Sequence, residues 1–221
     1  MRIYFIRHGQ TPSNVEGALD TAFPGAALSG LGEAQAAALP AAFETLGLRG
    51  VYVSPLLRTR QTAAPLAAAL GLEAQVLPGL AEIPAGELEM LSDDGSLRRY
   101  VDCVRAWMHG ELGRAMPGGP DGHTFVDRFD AAIASIAARH ADDDAVAVVS
   151  HGAAIRCYAA LRTDLTEERR AGLMIMNTGG AVVDGRPGAW RLTHWQTEPF
   201  GGAALEDRSA EDVTGGVAPV D

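Results

Sequence analysis

The sequence predicts a single-domain α/β fold built on a mostly parallel sheet. Three observations carry that expectation. The first third alternates apolar β-type runs with alanine-rich helical stretches, in the order strand–helix–strand–helix–strand. That alternation is the pattern of a parallel sheet. A later run, Ala145 to Val149, is apolar on both faces, as a central buried strand requires. Two short strands near the end flank Gly185-Arg186-Pro187-Gly188 and read as a hairpin.

The opening strand covers about residues 2–7, with Ile3-Tyr4-Phe5-Ile6 as its apolar run. A loop rich in Gly, Pro and Thr follows over about 9–29. Ser29 reads as the N-cap of a helix reaching about Leu46, in which Pro40 is expected to cause a kink or a restart. Val51-Tyr52-Val53 is the second strand, Leu56 to Leu70 the next helix, and Ala74 to Leu77 the third strand. Residues 79–95 are loop-like, and Leu97 to Met108 is helical. Phe125, Phe129, Ile133 and Ile136 recur at helical spacing, so Thr124 to His140 is a helix with a core-facing stripe. Asp142-Asp143-Asp144 is a solvated turn. After the strand Ala145 to Val149 comes a helix from about Ala153 to Leu161, then the hairpin strands Gly180–Asp184 and Ala189–Trp195. The domain is expected to span 1–200, with the Gly-, Asp- and Ala-rich residues 201–221 a loose tail.

At 221 residues the chain is long enough for one substantial core. Lysine is absent and all 18 basic residues are arginine, so each arginine needs its own argument before a role is given to it. The formal charge of −10 argues against nucleic acid and against an anionic membrane as partners, since both demand a basic face. A small anionic substrate is still compatible with a local positive cluster. Cys103 and Cys157 form neither a disulfide framework nor a metal spacing. No apolar run approaches the roughly 20 residues that span a bilayer, and no charged-then-apolar leader is visible. The expected location is the cytoplasm.

Two segments dominate the search for chemistry. Arg7-His8-Gly9-Gln10-Thr11 and Ser150-His151-Gly152 each place a histidine and a glycine just past the carboxyl end of an apolar strand. That edge is where open α/β sheets bind ligands. An arginine beside a glycine that admits close backbone approach is what a phosphate wants. Arg58 lies in the first turn of the helix after Ser54-Pro55, and helix starts attract anions. Glu82, Glu87 and Glu89 put three carboxylates into one loop, which matters only if the reaction needs a proton donor.

Together these pieces resemble the histidine phosphatase superfamily, in its phosphoglycerate mutase-like branch. Arg7-His8-Gly9-Gln10-Thr11 with Asn14 matches R-H-G-[EQ]-T-x-x-N. Leu28-Ser29 with Gly32, Gln35 and Ala36 resembles L-[ST]-x-x-G-x-x-Q-A. Ser54-Pro55 with Arg58, Thr62 and Ala63 matches S-P-x-x-R-x-x-x-T-A. Leu80 to Gly86 resembles L-x-E-x-x-x-G, and Ser150-His151-Gly152 matches the late [SA]-H-G. The five segments occur in family order over about residues 1–160.

The resemblance implies a three-layer α/β/α, phosphoglycerate mutase-like fold. It implies a metal-independent phosphatase acting on a small phosphomonoester through a phosphohistidine, a phosphoric monoester hydrolase of the histidine acid phosphatase type. His8 would be the nucleophile. Arg7, Arg58 and His151 would surround the phosphoryl group, with Asn14 and the Gly152 amide as further contacts. Glu82 would protonate the leaving oxygen, with Glu87 and Glu89 as alternatives in the same loop. No metal or organic cofactor is implied. His8 must be unprotonated on the attacking nitrogen, with its other nitrogen donating to a backbone carbonyl. His151 is expected to serve best when protonated, and burial plus a phosphate dianion should raise the Glu82 pKa.

Two departures from the pattern stand out. Leu88-Glu89-Met90 replaces a common Trp-Glu-Gly, and Gly122-His123-Thr124 replaces Gly-Glu-Ser, which makes His123 a candidate for the substrate rim. The basic, Pro-rich insertion of glycolytic mutases is not recognisable between 90 and 120, which favours hydrolysis. A cofactor-dependent phosphoglycerate mutase and a phospho-ligand-binding regulatory protein with little catalysis are the alternatives. A metal-dependent hydrolase fits less well, because the histidines lack H-x-x-x-H spacing. Oligomeric state is open, a homodimer among the options.

Overall fold

Ile3 and Phe5 of the first strand face one helical layer, and Tyr4 and Ile6 face the other. This period-two alternation, repeated in the neighbouring strands, builds the molecule in three layers. The computed structural model describes residues 1–170, 172–207 and 212–216, the side chain of Val213 apart. Its strands are β1 (Arg2–Arg7), β2 (Leu48–Val53), β3 (Ala74–Val76), β4 (Ala145–Ser150), β5 (Gly180–Asp184) and β6 (Arg191–Gln196). They form one sheet in the order β3-β2-β4-β1-β5-β6. β3, β2, β4 and β1 run parallel, while β5 and β6 add an antiparallel edge.

The helices are α1 (Pro12–Val15), α2 (Gly30–Phe43), α3 (Leu57–Leu70), α4 (Asp94–Met108), α5 (Gly122–Ala137), α6 (Gly152–Arg162) and α7 (Glu167–Arg170). Leu39 and Phe43 of α2 and Leu66 of α3 pack on Tyr4, Ile6, Val51, Val53, Ala147 and Val149. On the other face, Trp107, Phe129 and Tyr158 of α4, α5 and α6 cover Ile3, Phe5, Val146 and Val148. Phe5 meets Phe129 and Tyr158 at centroid distances of 6.2 and 5.7 Å. As expected from its apolarity on both faces, β4 is central, and none of Val146 to Val149 is exposed.

The elements differ from the sequence expectation in several places, β2 for one beginning at Leu48 and α4 at Asp94. Pro40 neither breaks nor restarts α2, which ends at Phe43 with Pro40 in its last turn. A proline costs a helix one backbone hydrogen bond; Ala36, Leu39 and Phe43, all buried against the sheet, outweigh it. The loop over 9–29 contains α1, capped by Thr11 and Asn14 in a reciprocal capping box with Pro12 in the first turn. Asp121, not a residue at Thr124, caps α5: its Oδ1 accepts from the Thr124 amide at 2.9 Å. The short α7 was not anticipated.

The stretch 201–221, expected to be loose, has parts that touch the body. Gln35 Nε2 donates to the Leu205 carbonyl at 2.9 Å, and Gln10 Nε2 to Asp207 at 2.8 Å. Arg7 pairs with Asp212. Residues 208–211 and 217–221 lie outside the described residues. Among the described residues, no helix is long and apolar enough to cross a membrane.

Candidate active site

Arg7 of β1 pairs in register with Ser150 of β4, so His8 and His151 leave the sheet side by side. The His8 amide donates to the Ser150 carbonyl at 3.0 Å. Their rings stand 5.2 Å apart, centroid to centroid, at 62°. The end of β2 joins them, with the Ser54 amide donating to the Val149 carbonyl at 3.2 Å. Three adjacent parallel strands thus deliver His8, His151 and Ser54 to one point on the carboxyl edge.

Two glycines let the first motif pack tightly. A Cβ on Gly9 would sit 2.7 Å from the Gly32 carbonyl oxygen, and one on Gly32 would sit 2.1 Å from that of Gln10. The helix start at Ser29 and the strand end at His8 therefore approach backbone to backbone. Thr62 ties α3 to the same loop, accepting from the Gly9 amide at 2.9 Å and donating to the Arg58 carbonyl at 2.6 Å.

Arg7, His8, Arg58, Glu82 and His151 are each no more than 3% exposed. His8 Nδ1 lies 2.8 Å from the Gly9 carbonyl. A carbonyl only accepts, so Nδ1 carries the proton and Nε2 keeps its lone pair. Burial, then Arg58 and Arg7, push the His8 pKa well below its ordinary value, and the ring is neutral at pH 7.

His151 departs from the expectation that it is protonated. Burial first, then Arg58, His8, Arg128 and Arg7, hold its pKa well below 6.5. Its Nε2 sits 2.7 Å from Ser54 Oγ, while its buried Nδ1 has no protein partner. If Ser54 donates to Nε2, the neutral ring carries its proton on Nδ1. It can then donate from there without a positive charge.

Arg58 reaches the site from the first turn of α3. Its Nη2 donates to the Asp20 carbonyl at 2.8 Å, and Nη1 lies 3.7 Å from the Asp20 carboxylate. Among the described residues, its buried Nε and Nη1 have no hydrogen-bond partner, and neither has Arg7 Nε. At the start of α6, the Ala153 and Ala154 amides donate to Glu82 at 3.2 and 2.8 Å. Among the described residues, the Gly152 amide has no protein acceptor. Asn14 spends Oδ1 on the Thr11 amide and on Asn177, which leaves its Nδ2.

Of the three loop carboxylates only Glu82 joins this cluster. Burial raises its pKa; the Ile83 amide, Arg58 and the Ala154 and Ala153 amides oppose that rise. Glu89 instead binds the Thr21 and Ala22 amides at 2.8 Å each, and Glu87 is exposed. His123 is exposed in the first turn of α5 and hydrogen-bonds to none of the site side chains. Among the described residues, no group of three or more His, Cys, Asp or Glu side chains could hold a metal ion.

Sequence reasoning missed three participants. Arg128 of α5 donates to the carbonyls of Gly79, Ala81 and Glu82 at 2.7–2.8 Å and so fixes the loop that carries Glu82. Asn177 Nδ2 donates to the His8 carbonyl at 3.1 Å. Asp212 pairs with Arg7. Its signal was an Asp two residues before Thr214-Gly215, a turn pattern inside an otherwise featureless stretch.

Comparisons with known proteins give the chain's family and fold. The family model described as histidine phosphatase superfamily (branch 1) matches residues 3–198. The PE-PGRS family protein PE_PGRS11 of Mycobacterium tuberculosis is 37% identical over 96% of this chain, which spans 39% of that protein's length. The probable phosphoglycerate mutase GpmB of Citrobacter koseri is 28% identical over 96% of this chain and 98% of its own. Among solved structures, a mycobacterial glucosyl-3-phosphoglycerate phosphatase complexed with VO3 superposes with a TM-score of 0.75. It is 26% identical, over 89% of this chain and 99% of that one.

Proposed function

The chain belongs to the histidine phosphatase superfamily, and on that footing we propose that it releases phosphate from a small phosphomonoester through a phosphohistidine on His8. One observation carries the reading. Four buried nitrogens without a hydrogen-bond partner among the described residues, Arg7 Nε, Arg58 Nε, Arg58 Nη1 and His151 Nδ1, belong to the residues that surround a neutral histidine. Buried donors are almost always paired in proteins. Here they make a set suited to the oxygens of a tetrahedral dianion.

In the reaction, the His8 Nε2 lone pair attacks phosphorus in line while the ester P–O bond breaks. The guanidiniums of Arg7 and Arg58, His151 Nδ1–H, Asn14 Nδ2 and the Gly152 amide hold the three equatorial oxygens. Phosphoryl transfer is chiefly positioning and charge stabilisation, which is what these groups supply. Glu82, whose pKa burial raises, passes its proton to the leaving oxygen. As a carboxylate it then takes a proton from a water whose oxygen attacks phosphorus while the P–N bond breaks, and the bond's electron pair returns to His8 as its neutral lone pair. This is the histidine acid phosphatase type of phosphoric monoester hydrolysis. The test is a panel of phosphomonoesters assayed for phosphate release with wild type and His8→Ala. Release by wild type alone supports the route, and equal release by both excludes it.

The GpmB relative favours a second reading, interconversion of phosphoglycerates. A mutase would need a bisphosphate primer and would interconvert 2- and 3-phosphoglycerate faster than it releases phosphate.

A further inference from the structure

We propose that Asp212, in the segment beyond the sheet, is a positioning residue for phosphoryl binding: it holds Arg7 from behind so that Nε faces the anion. The proposal rests on the phosphatase reading and adds a residue that no motif of the superfamily supplied in this sequence.

Arg7 is buried, and its guanidinium has a definite set of partners. Nη1 donates to the Ile175 carbonyl at 2.8 Å. Nη2 donates to Thr214 Oγ1 at 3.0 Å and to Asp212 Oδ2. Nε has none. The protein therefore grips the two terminal nitrogens and leaves Nε–H. A Cβ built on Gly152 would lie 3.1 Å from that nitrogen, so Nε stands beside the residue whose amide opens α6. Both donors then serve one side of the site.

The carboxylate that does the gripping is itself held. Asp212 Oδ1 accepts from the Thr214 amide at 3.2 Å and from Thr214 Oγ1 at 2.8 Å, while Oδ2 faces Arg7. Thr214 Oγ1 thus donates to Asp212 and accepts from Arg7, closing a three-residue ring of hydrogen bonds. The turn is fastened to the body by the Ile175 amide, which donates to the Gly215 carbonyl at 2.9 Å, and by Arg156 Nη1 on the Thr214 carbonyl at 3.2 Å. Asp212 is 8% exposed. A guanidinium held at Nη2 by an anchored carboxylate and at Nη1 by a backbone carbonyl loses side-chain freedom before the ligand arrives, and that preorganisation is what binding needs.

An opposite role has the same contacts: the carboxylate could compete with phosphate for Arg7. The two differ in sign. Inorganic phosphate binding, measured by calorimetry on wild type, Asp212→Ala, Asp212→Asn and Thr214→Val, separates them. If Asp212 positions Arg7, the alanine variant binds phosphate about ten- to a hundredfold more weakly. The asparagine variant, which keeps an acceptor, recovers part of the loss, and Thr214→Val weakens binding less. Turnover gives a second readout. Because Arg7 acts on the phosphoryl group and not on the leaving group, Asp212→Ala should lower kcat/KM by the same factor for aryl and alkyl phosphates, chiefly through KM. A variant that binds phosphate as tightly as wild type, or more tightly, overturns the proposal and leaves the phosphatase reading intact. Absence of phosphate binding by wild type would overturn both. If the alanine variant fails to fold, the asparagine and valine variants decide alone.

Discussion

Glu82 and His151 meet at the first turn of α6 from opposite sides of the chain's order. His151 is the N-cap residue of that helix, and the amides two and three positions later, Ala153 and Ala154, bind the Glu82 carboxylate. One helix start thus fixes both an imidazole and a buried carboxyl group. The Gly152 amide lies between them at the positive end of the helix dipole.

That relationship sets what Glu82→Gln should do. The glutamine carbonyl can still accept from the α6 amides, so the fold should be kept, but the side chain has no proton of the right acidity to give. Turnover of an alkyl phosphate should fall by about 10²–10⁴, the usual worth of a general acid. p-Nitrophenyl phosphate, whose leaving group scarcely needs a proton, should be slowed far less. Steady-state kinetics on the two esters check this; equal slowing points to another donor.

The pH profile follows from two shifts of opposite sign. His8 must be neutral to attack, and its pKa lies well below 6.5, so the acid limb of kcat/KM should fall below pH 6.5. Glu82 must be protonated, and its pKa is raised above 4.5, so activity should decline as pH rises through that raised value. In wild type the alkaline limb should be pronounced with an alkyl phosphate and weak with p-nitrophenyl phosphate, while the acid limb is the same for both. An acid limb centred at or above pH 7 would contradict the neutral-His8 account.

Arg58→Ala should remove one charge-assisted donor from the developing negative charge. The expected loss is about 2.7–4 kcal/mol of transition-state stabilisation, or about 10²–10³ in rate. Inorganic phosphate should bind more weakly as well. Unchanged phosphate binding would mean that Arg58 serves only to anchor Asp20.

Arg128→Ala separates positioning from contact. Arg128 touches three carbonyls of the Glu82 loop, so its loss should disorder the donor without touching the phosphate ligands. The variant should resemble Glu82→Gln in its dependence on leaving group, with phosphate affinity kept. A loss of phosphate affinity as large as that of Arg58→Ala would refute this role.

The parts legible in the sequence were those written in local pattern. β1 and β4 announce themselves by apolar runs, and the glycines after His8 and His151 mark the strand ends where backbone turns toward a ligand. The helical stripe from Phe125 to Ile136 gave the core face of α5 without tertiary knowledge. What stayed hidden depends on distant partners. Arg128 looks like any of 18 arginines until its three carbonyl acceptors are seen. Asp212 lies in a stretch whose composition suggests a loose end, and its value comes from a contact 205 residues away. Glu89 and Glu82 share one loop and one chemistry. Only folding shows that the first ties down Thr21 and Ala22 while the second is buried beside Arg58.

The most direct test is to quench the enzyme in alkali during turnover of a phosphomonoester and map the phosphorylated residue by peptide mass spectrometry. The account predicts an acid-labile phosphoryl group on His8, present in wild type, accumulating in any variant that slows the second step, and missing from His8→Ala. Full turnover by His8→Ala, or a phosphoryl group on another residue of an active wild type, would contradict it.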